Sequence, residues 1–133
     1  VMAIENLKSG NYSKADKYFT MAEALRTNFP AKRTIRLYKS ILKKSVDSKR
    51  KIICMQYPVR KIDLLKNMLK NEDYFNRITF VSNEETFKEA LKKYDYNAIF
   101  SDQFAGDFGH CTDFGNTLIA QNAAKTIIEI TNK

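Results

Sequence analysis

The sequence predicts an α/β fold, a parallel sheet with flanking helices preceded by a helical hairpin. Two short apolar runs, "KIICMQYP" at 51–58 and "RITFVS" at 77–82, read as strands buried on both faces. A helical pattern separates them and another follows, the strand–helix–strand–helix order that parallel pairing requires. Residues 1–47 are helical in period, and residues 48–133 hold the strands. At 133 residues the chain is long enough for one domain with a real core. No apolar run approaches the roughly 18 residues needed to cross a bilayer, and the opening "VMAIENLKSG" lacks the form of a signal peptide. Two cysteines, Cys54 and Cys111, suit neither a disulfide framework nor a four-ligand zinc site.

The first element covers residues 3–25, where Gly10, Tyr12, Ala15, Phe19 and Ala22 follow G-x-Y-x2-A-x3-F-x2-A. That spacing resembles the second half of a tetratricopeptide repeat, in which small residues let two antiparallel helices approach and aromatics fill the gap. In this register the first helix lacks its opening turn, so a fragment is expected. A further helix follows Pro30, over about 31–46, with Ile35, Tyr38, Leu42 and Val46 as its apolar stripe. After the strand at 51–57, "IDLLKNMLKN" (62–71) is helical. The strand at 77–82 leads into "NEETFKEALKKY" (83–94), a helix with Asn83 as its expected cap and Glu84 and Glu85 in its first turn. The last helix runs from about 113 to 131, capped by Thr112, with Leu118, Ile119, Ala123, Ile127 and Ile130 on its buried face. Two parallel strands make a poor sheet on their own, because a buried strand wants a neighbour on each edge. The open edge is expected to be covered by a missing upstream part of the domain, by a second copy of the chain, or by the helical pair.

Charge is distributed unevenly. Residues 1–53 carry 13 Lys/Arg against 4 Asp/Glu, a balance of +9, and residues 54–133 carry 10 against 11, a balance of −1. Lys32, Arg36, Lys39 and Lys43 line one face of the helix after Pro30. No aromatic residues interleave with them as in single-strand binders, so no nucleic-acid partner is expected. An acidic protein partner is the alternative use of this face.

Three of the four glycines and the only histidine fall in "FAGDFGHCTDFGN", residues 104–116. Glycine inside a helix or strand costs about 0.5–1 kcal/mol relative to alanine, so the cluster predicts a loop that turns sharply and presents one side chain. Asp107 and His110 stand in the spacing D-x-x-H. In a tight loop that carboxylate can curl back to the ring Nδ1–H, which fixes the tautomer and leaves Nε2 as a base. Asp102 is a second candidate for that contact, eight residues from the ring. Ser101 as a local nucleophile lacks a strand–turn–helix elbow, Cys111 as a thiol nucleophile adjoins His110 directly, and a zinc site from Asp107, His110 and Cys111 lacks a fourth ligand. Gln56 and Tyr57 end the first strand at the edge where parallel sheets bind ligands, and are candidate substrate-binding residues.

"FSDQFAGDFGHCTDFGNTLIAQNAAKTI" resembles the closing block of the SGNH (GDSL-type) hydrolases, esterases and acyl hydrolases of flavodoxin-like, three-layer α/β/α fold. The resemblance covers about residues 48–133. It implies Asp107 as the orienting acid and His110 as the general base of a Ser-His-Asp triad, a small-molecule or carbohydrate ester as substrate, and no cofactor. It makes the two strands the last of a five-stranded sheet, and the helices at 1–47 an insertion before them. The family's nucleophile lies in a Gly-Asp-Ser block, and here the only Gly-Asp, at 106–107, is followed by Phe108. The 133 residues are therefore expected to be inactive alone. A helical-repeat interaction module on a non-catalytic α/β domain is the alternative.

Overall fold

A computed structural model describes residues 2–27, 32–103 and 108–132. Helix α1 (Met2–Lys8) and helix α2 (Tyr12–Thr27) form the expected hairpin, and α3 (Lys32–Asp47) follows. The turn between α1 and α2 needs Gly10, whose φ of 78° lies in the left-handed region. Strand β1 (Ile52–Met55), helix α4 (Asp63–Leu69) and strand β2 (Ile78–Val81) make a crossover unit. The strands pair in parallel, Ile52 opposite Ile78 through Met55 opposite Val81, in a two-stranded sheet. Helix α5 (Glu84–Lys93), one helical turn α6 (Tyr96–Ile99) and the long α7 (Asp113–Thr131) complete the chain. This is an α/β arrangement of helices around a parallel strand pair.

Two apolar clusters hold it together. Ile52, Cys54 and Ile78 point from one face of the sheet into a cluster closed by Leu42 and Val46 of α3 and by Leu65 and Leu69 of α4. The other face of β1 is half-buried, where the continuous apolar run predicted full burial. The second cluster joins Ala3, Ile4 and Leu7 of α1 and Ala15 and Phe19 of α2 to Phe87 and Leu91 of α5, Ile99, Phe100 and Phe108. The helical hairpin and the segment carrying the glycine loop thus share one core. The spacing Ala15–Phe19 serves the packing that the repeat-like pattern implied, with Phe19 only 2% exposed.

Lys88 ties α2 to α5. Its ammonium lies 2.7 Å from Glu84 and 3.1 Å from Asp16, and over the Phe19 ring. Burial alone would pull this lysine down; the hydrogen bonds it donates to Glu84 and Asp16 outweigh that and hold the pKa above the ordinary lysine value. The same bond to Lys88 holds Asp16 below the carboxylate norm. Asp16 therefore contributes stability above its unfolded pKa of 3.8, lost as pH falls through its lowered folded value; Lys88 contributes below 10.5, lost as pH rises through its raised one. Lys88→Met is expected to cost about 2–3 kcal/mol at neutral pH. It should also flatten the acid limb of a urea-midpoint-against-pH profile. A variant that loses stability equally at every pH would contradict the clamp.

Two expectations are corrected. Asn83 stands at the N-cap of α5 without capping it, and the Ser82 hydroxyl accepts from the Glu84 N–H instead. Asn83, itself buried, turns inward because two half-buried partners, Gln56 and Asn122, satisfy its amide. On α7, Thr112 does cap, accepting from the Gly115 N–H. Leu118, Ile119, Ala123 and Ile130 are half-buried as expected, whereas Ile127 is 47% exposed beside Ile128 at 59%.

Candidate active site at the carboxyl end of the sheet

The segment around the glycines is organised by backbone pairing. Phe100 and Cys111 form an antiparallel bridge, Ser101 N–H donates to the His110 carbonyl at 2.8 Å, and Thr112 N–H donates to the Ile99 carbonyl at 2.9 Å. The Thr112 hydroxyl adds a bond to the Ala98 carbonyl at 2.6 Å, stapling the end of α6 to the start of α7. Ile99, Phe100 and Phe108 are buried and anchor this frame in the core. The loop from 102 to 109 is therefore closed at its base, and its two ends lie side by side.

Closure brings Asp102 to His110. One carboxylate oxygen, Oδ2, is 2.6 Å from ring Nδ1, and the other, Oδ1, accepts the His110 backbone N–H at 2.7 Å. The ring's bond, then the backbone's, hold the Asp102 carboxyl below its ordinary pKa. An ionised carboxylate only accepts, so Nδ1 carries the proton and the lone pair lies on Nε2. The imidazole is 74% exposed. Asp102 is itself placed by Tyr96, whose hydroxyl donates to its carbonyl at 2.8 Å. Gly109 is required here: a Cβ at this position would fall 1.8 Å from the Asp102 carbonyl oxygen. Gly115 serves the same frame, since its Cβ would meet the Ile99 carbonyl oxygen at 2.4 Å.

Asp107 lies outside the described residues. Among the described residues, Asp102, the second candidate at eight residues' distance, is the carboxylate that touches Nδ1. The signal for it was the apolar pair Ile99-Phe100 on one side of a glycine-bearing stretch and Cys111 on the other, the pattern of a closed turn. The Ser101 hydroxyl donates to the His110 carbonyl at 3.1 Å, and burial raises the Cys111 thiol, which keeps it protonated and a poor nucleophile. Among the described residues, no three His, Cys, Asp or Glu gather as metal ligands.

A cleft of about 540 Å³ opens where β1 ends. Gln56 and Tyr57 line it, with Pro58 and Met55, at the carboxyl edge of the sheet. Tyr57 also stacks on Phe108 with ring centroids 5.2 Å apart, and so links the cleft to the histidine loop. Its inner wall is set by Asn83, which donates to the Gln56 carbonyl at 3.1 Å and accepts from Asn122 at 3.0 Å. This buried amide pair, tying β1 to α5 and α7, was not singled out in the sequence; an asparagine at 122 amid the apolar pattern of "LIAQNAAKTII" was its trace.

The basic face of α3 is partly committed within the chain. Lys39 lies 2.6 Å from Glu72, which this bond holds at a lowered pKa, and Lys43 lies 3.5 Å from Asp47. Among the described residues no helix is long and apolar enough to cross a membrane. Comparison with protein-family models, with curated proteins and with solved structures finds no match to this chain.

Proposed function

We propose that the chain carries the base and its orienting carboxylate of an SGNH-type ester hydrolase, within a flavodoxin-like three-layer sheet of which β1 and β2 are two strands. The observation that carries this reading is the exposed imidazole with Nδ1 held at 2.6 Å by Asp102, in a loop that Tyr57 joins to a cleft at the carboxyl end of a parallel sheet. His110 Nε2 takes the proton of a serine hydroxyl as its oxygen attacks the ester carbonyl. It then returns that proton to the leaving alcohol, and water cleaves the acyl-enzyme by the same steps. Asp102, at 2.6 Å from Nδ1, stabilises the imidazolium formed in each half, the role of orienting acid that the family resemblance gives to Asp107. The serine and its oxyanion donors come from outside these residues, because no Gly-Asp-Ser stands in the sequence.

The test compares two polypeptides. The 133-residue chain alone is expected to hydrolyse nitrophenyl acetate no faster than buffer and to take no fluorophosphonate label. Oxyanion donors by themselves are worth about 10²–10³ in rate, and the sequence holds no Gly-Asp-Ser block to go with them. The polypeptide encoded by the full reading frame is expected to label and turn over, and His110→Ala should abolish turnover. Activity that survives His110→Ala there would overturn the reading.

A further inference from the structure

The charge of the chain is concentrated on one helix and the turn after it. Residues 32–51 hold nine of the 23 Lys/Arg and one of the 15 Asp/Glu. That balance of +8 is the whole net charge, since the other residues carry 14 of each sign. The fold does not account for it. Lys39 pairs with Glu72 and Lys43 with Asp47. Lys32, Arg33, Arg36, Lys44, Lys49 and Arg50 are exposed and form no salt bridge among the described residues. Lys32 and Arg33 stand in the first turn of α3, which has no acid, where the positive end of the helix dipole disfavours cations. Apolar side chains accompany the charge. Leu42 and Val46 face the core, while Leu37 and Ile41, four residues apart on the outer side, are 55% and 63% exposed. Arg33 lies one turn before this pair and Lys44 one turn after it, with Arg36 and Lys43 on the neighbouring row.

Three kinds of partner take such a charge. A nucleic-acid duplex would engage the cations and have no use for Leu37 and Ile41. A protein interface would bury the pair, but six of the nine cations are lysine, which protein interfaces are depleted in. A lipid surface asks for no fixed geometry. Lysines act on it as point charges on flexible stems, and aliphatic side chains enter between the headgroups. We infer that α3 and the turn after it form a peripheral docking surface for a membrane leaflet that carries anionic lipid. Leu37 and Ile41 enter the headgroup region, and Arg33, Arg36 and Lys44 meet the phosphates around them. The helix lies on the leaflet and does not cross it, because its inner face stays on the core through Leu42 and Val46. This role is independent of the hydrolase reading.

The chain has no tryptophan, so Leu37→Trp places a single reporter on the exposed ridge. Its emission should shift to the blue with vesicles of equal parts phosphatidylglycerol and phosphatidylcholine, and stay unchanged with phosphatidylcholine alone. The unsubstituted chain should sediment with the mixed vesicles at low salt and be released at about 1 M salt, where charges act over only about 3 Å. Arg33→Gln, Arg36→Gln and Lys44→Gln should each lower the partition coefficient about fivefold, the worth of one cation at an anionic surface. Leu37→Ser combined with Ile41→Ser should lower it about tenfold. All five positions are exposed, so the urea midpoint should hold in every variant. Lys93→Gln combined with Lys125→Gln, on α5 and α7, should leave partitioning unchanged. No sedimentation with the mixed vesicles, or an equal loss from the α5 and α7 pair, would overturn the docking surface. So would vesicle binding that the serine pair leaves intact, since the ridge would then not enter the leaflet. Tighter binding of polyglutamate or of a DNA duplex than of the vesicles would overturn it too, and assign the face to an acidic protein or a nucleic acid.

Discussion

Gly109→Ala is expected to release His110 from Asp102 while the helices stay folded. The added Cβ would sit 1.8 Å from the Asp102 carbonyl oxygen and 2.6 Å from its Oδ1, so the two ends of the loop must part. The atoms in the way are backbone and the carboxylate itself, and neither yields cheaply. The Nδ1–H proton, shifted far downfield by a charge-assisted bond, should vanish from the spectrum of the variant. Asp102→Asn should lose the same resonance with the loop closed, because an amide can offer the ring a donor where the carboxylate only accepts. In the turnover-competent polypeptide both changes should lower kcat by about 10²–10⁴, the range of general-base assistance and of a wrong tautomer. Asp107→Asn made in parallel separates the two carboxylates of the loop. Loss of the resonance in Asp107→Asn, with Asp102→Asn unaffected, would transfer the orienting role to Asp107.

The second large effect concerns the core shared by the hairpin and the α/β segment. Phe19→Ala empties a site that is 2% exposed among Phe87, Leu91, Ile99 and Phe100, and is expected to cost about 3–5 kcal/mol. That is a large part of the about 5–15 kcal/mol that holds a domain folded. The urea midpoint should fall with the m-value unchanged. Hydrogen exchange should accelerate in α5 and at Ile99 and Phe100 as well as in α2, since all line the same cluster. Acceleration confined to α1 and α2 would mean that the hairpin packs only on itself. The consequence reaches the site, because Phe100 is both a member of this cluster and the bridge partner of Cys111.

Local chemistry was legible in the order of residues. The apolar runs at 52–55 and 78–81, the period of α3 and α5, the Thr112 cap and the glycine-rich loop follow from backbone preference and from the burial of one face, and both act over a few neighbours. His110 stood out by its setting, and Gln56 and Tyr57 by their place just after a parallel strand. Tertiary structure decided the rest, since pairing across a closed loop is not a property of spacing along the chain. Asp102 reaches His110 over eight residues because Phe100 and Cys111 bridge, in a frame that the buried Ile99, Phe100 and Phe108 anchor in the core. Asn83 abandons its cap for the same kind of reason: a buried amide with two partners gains more inside than at a solvent-exposed helix end. The face that α3 leaves exposed likewise depends on where Leu42 and Val46 find Ile52 and Leu65, a match of surfaces separated in sequence that only the folded chain brings together.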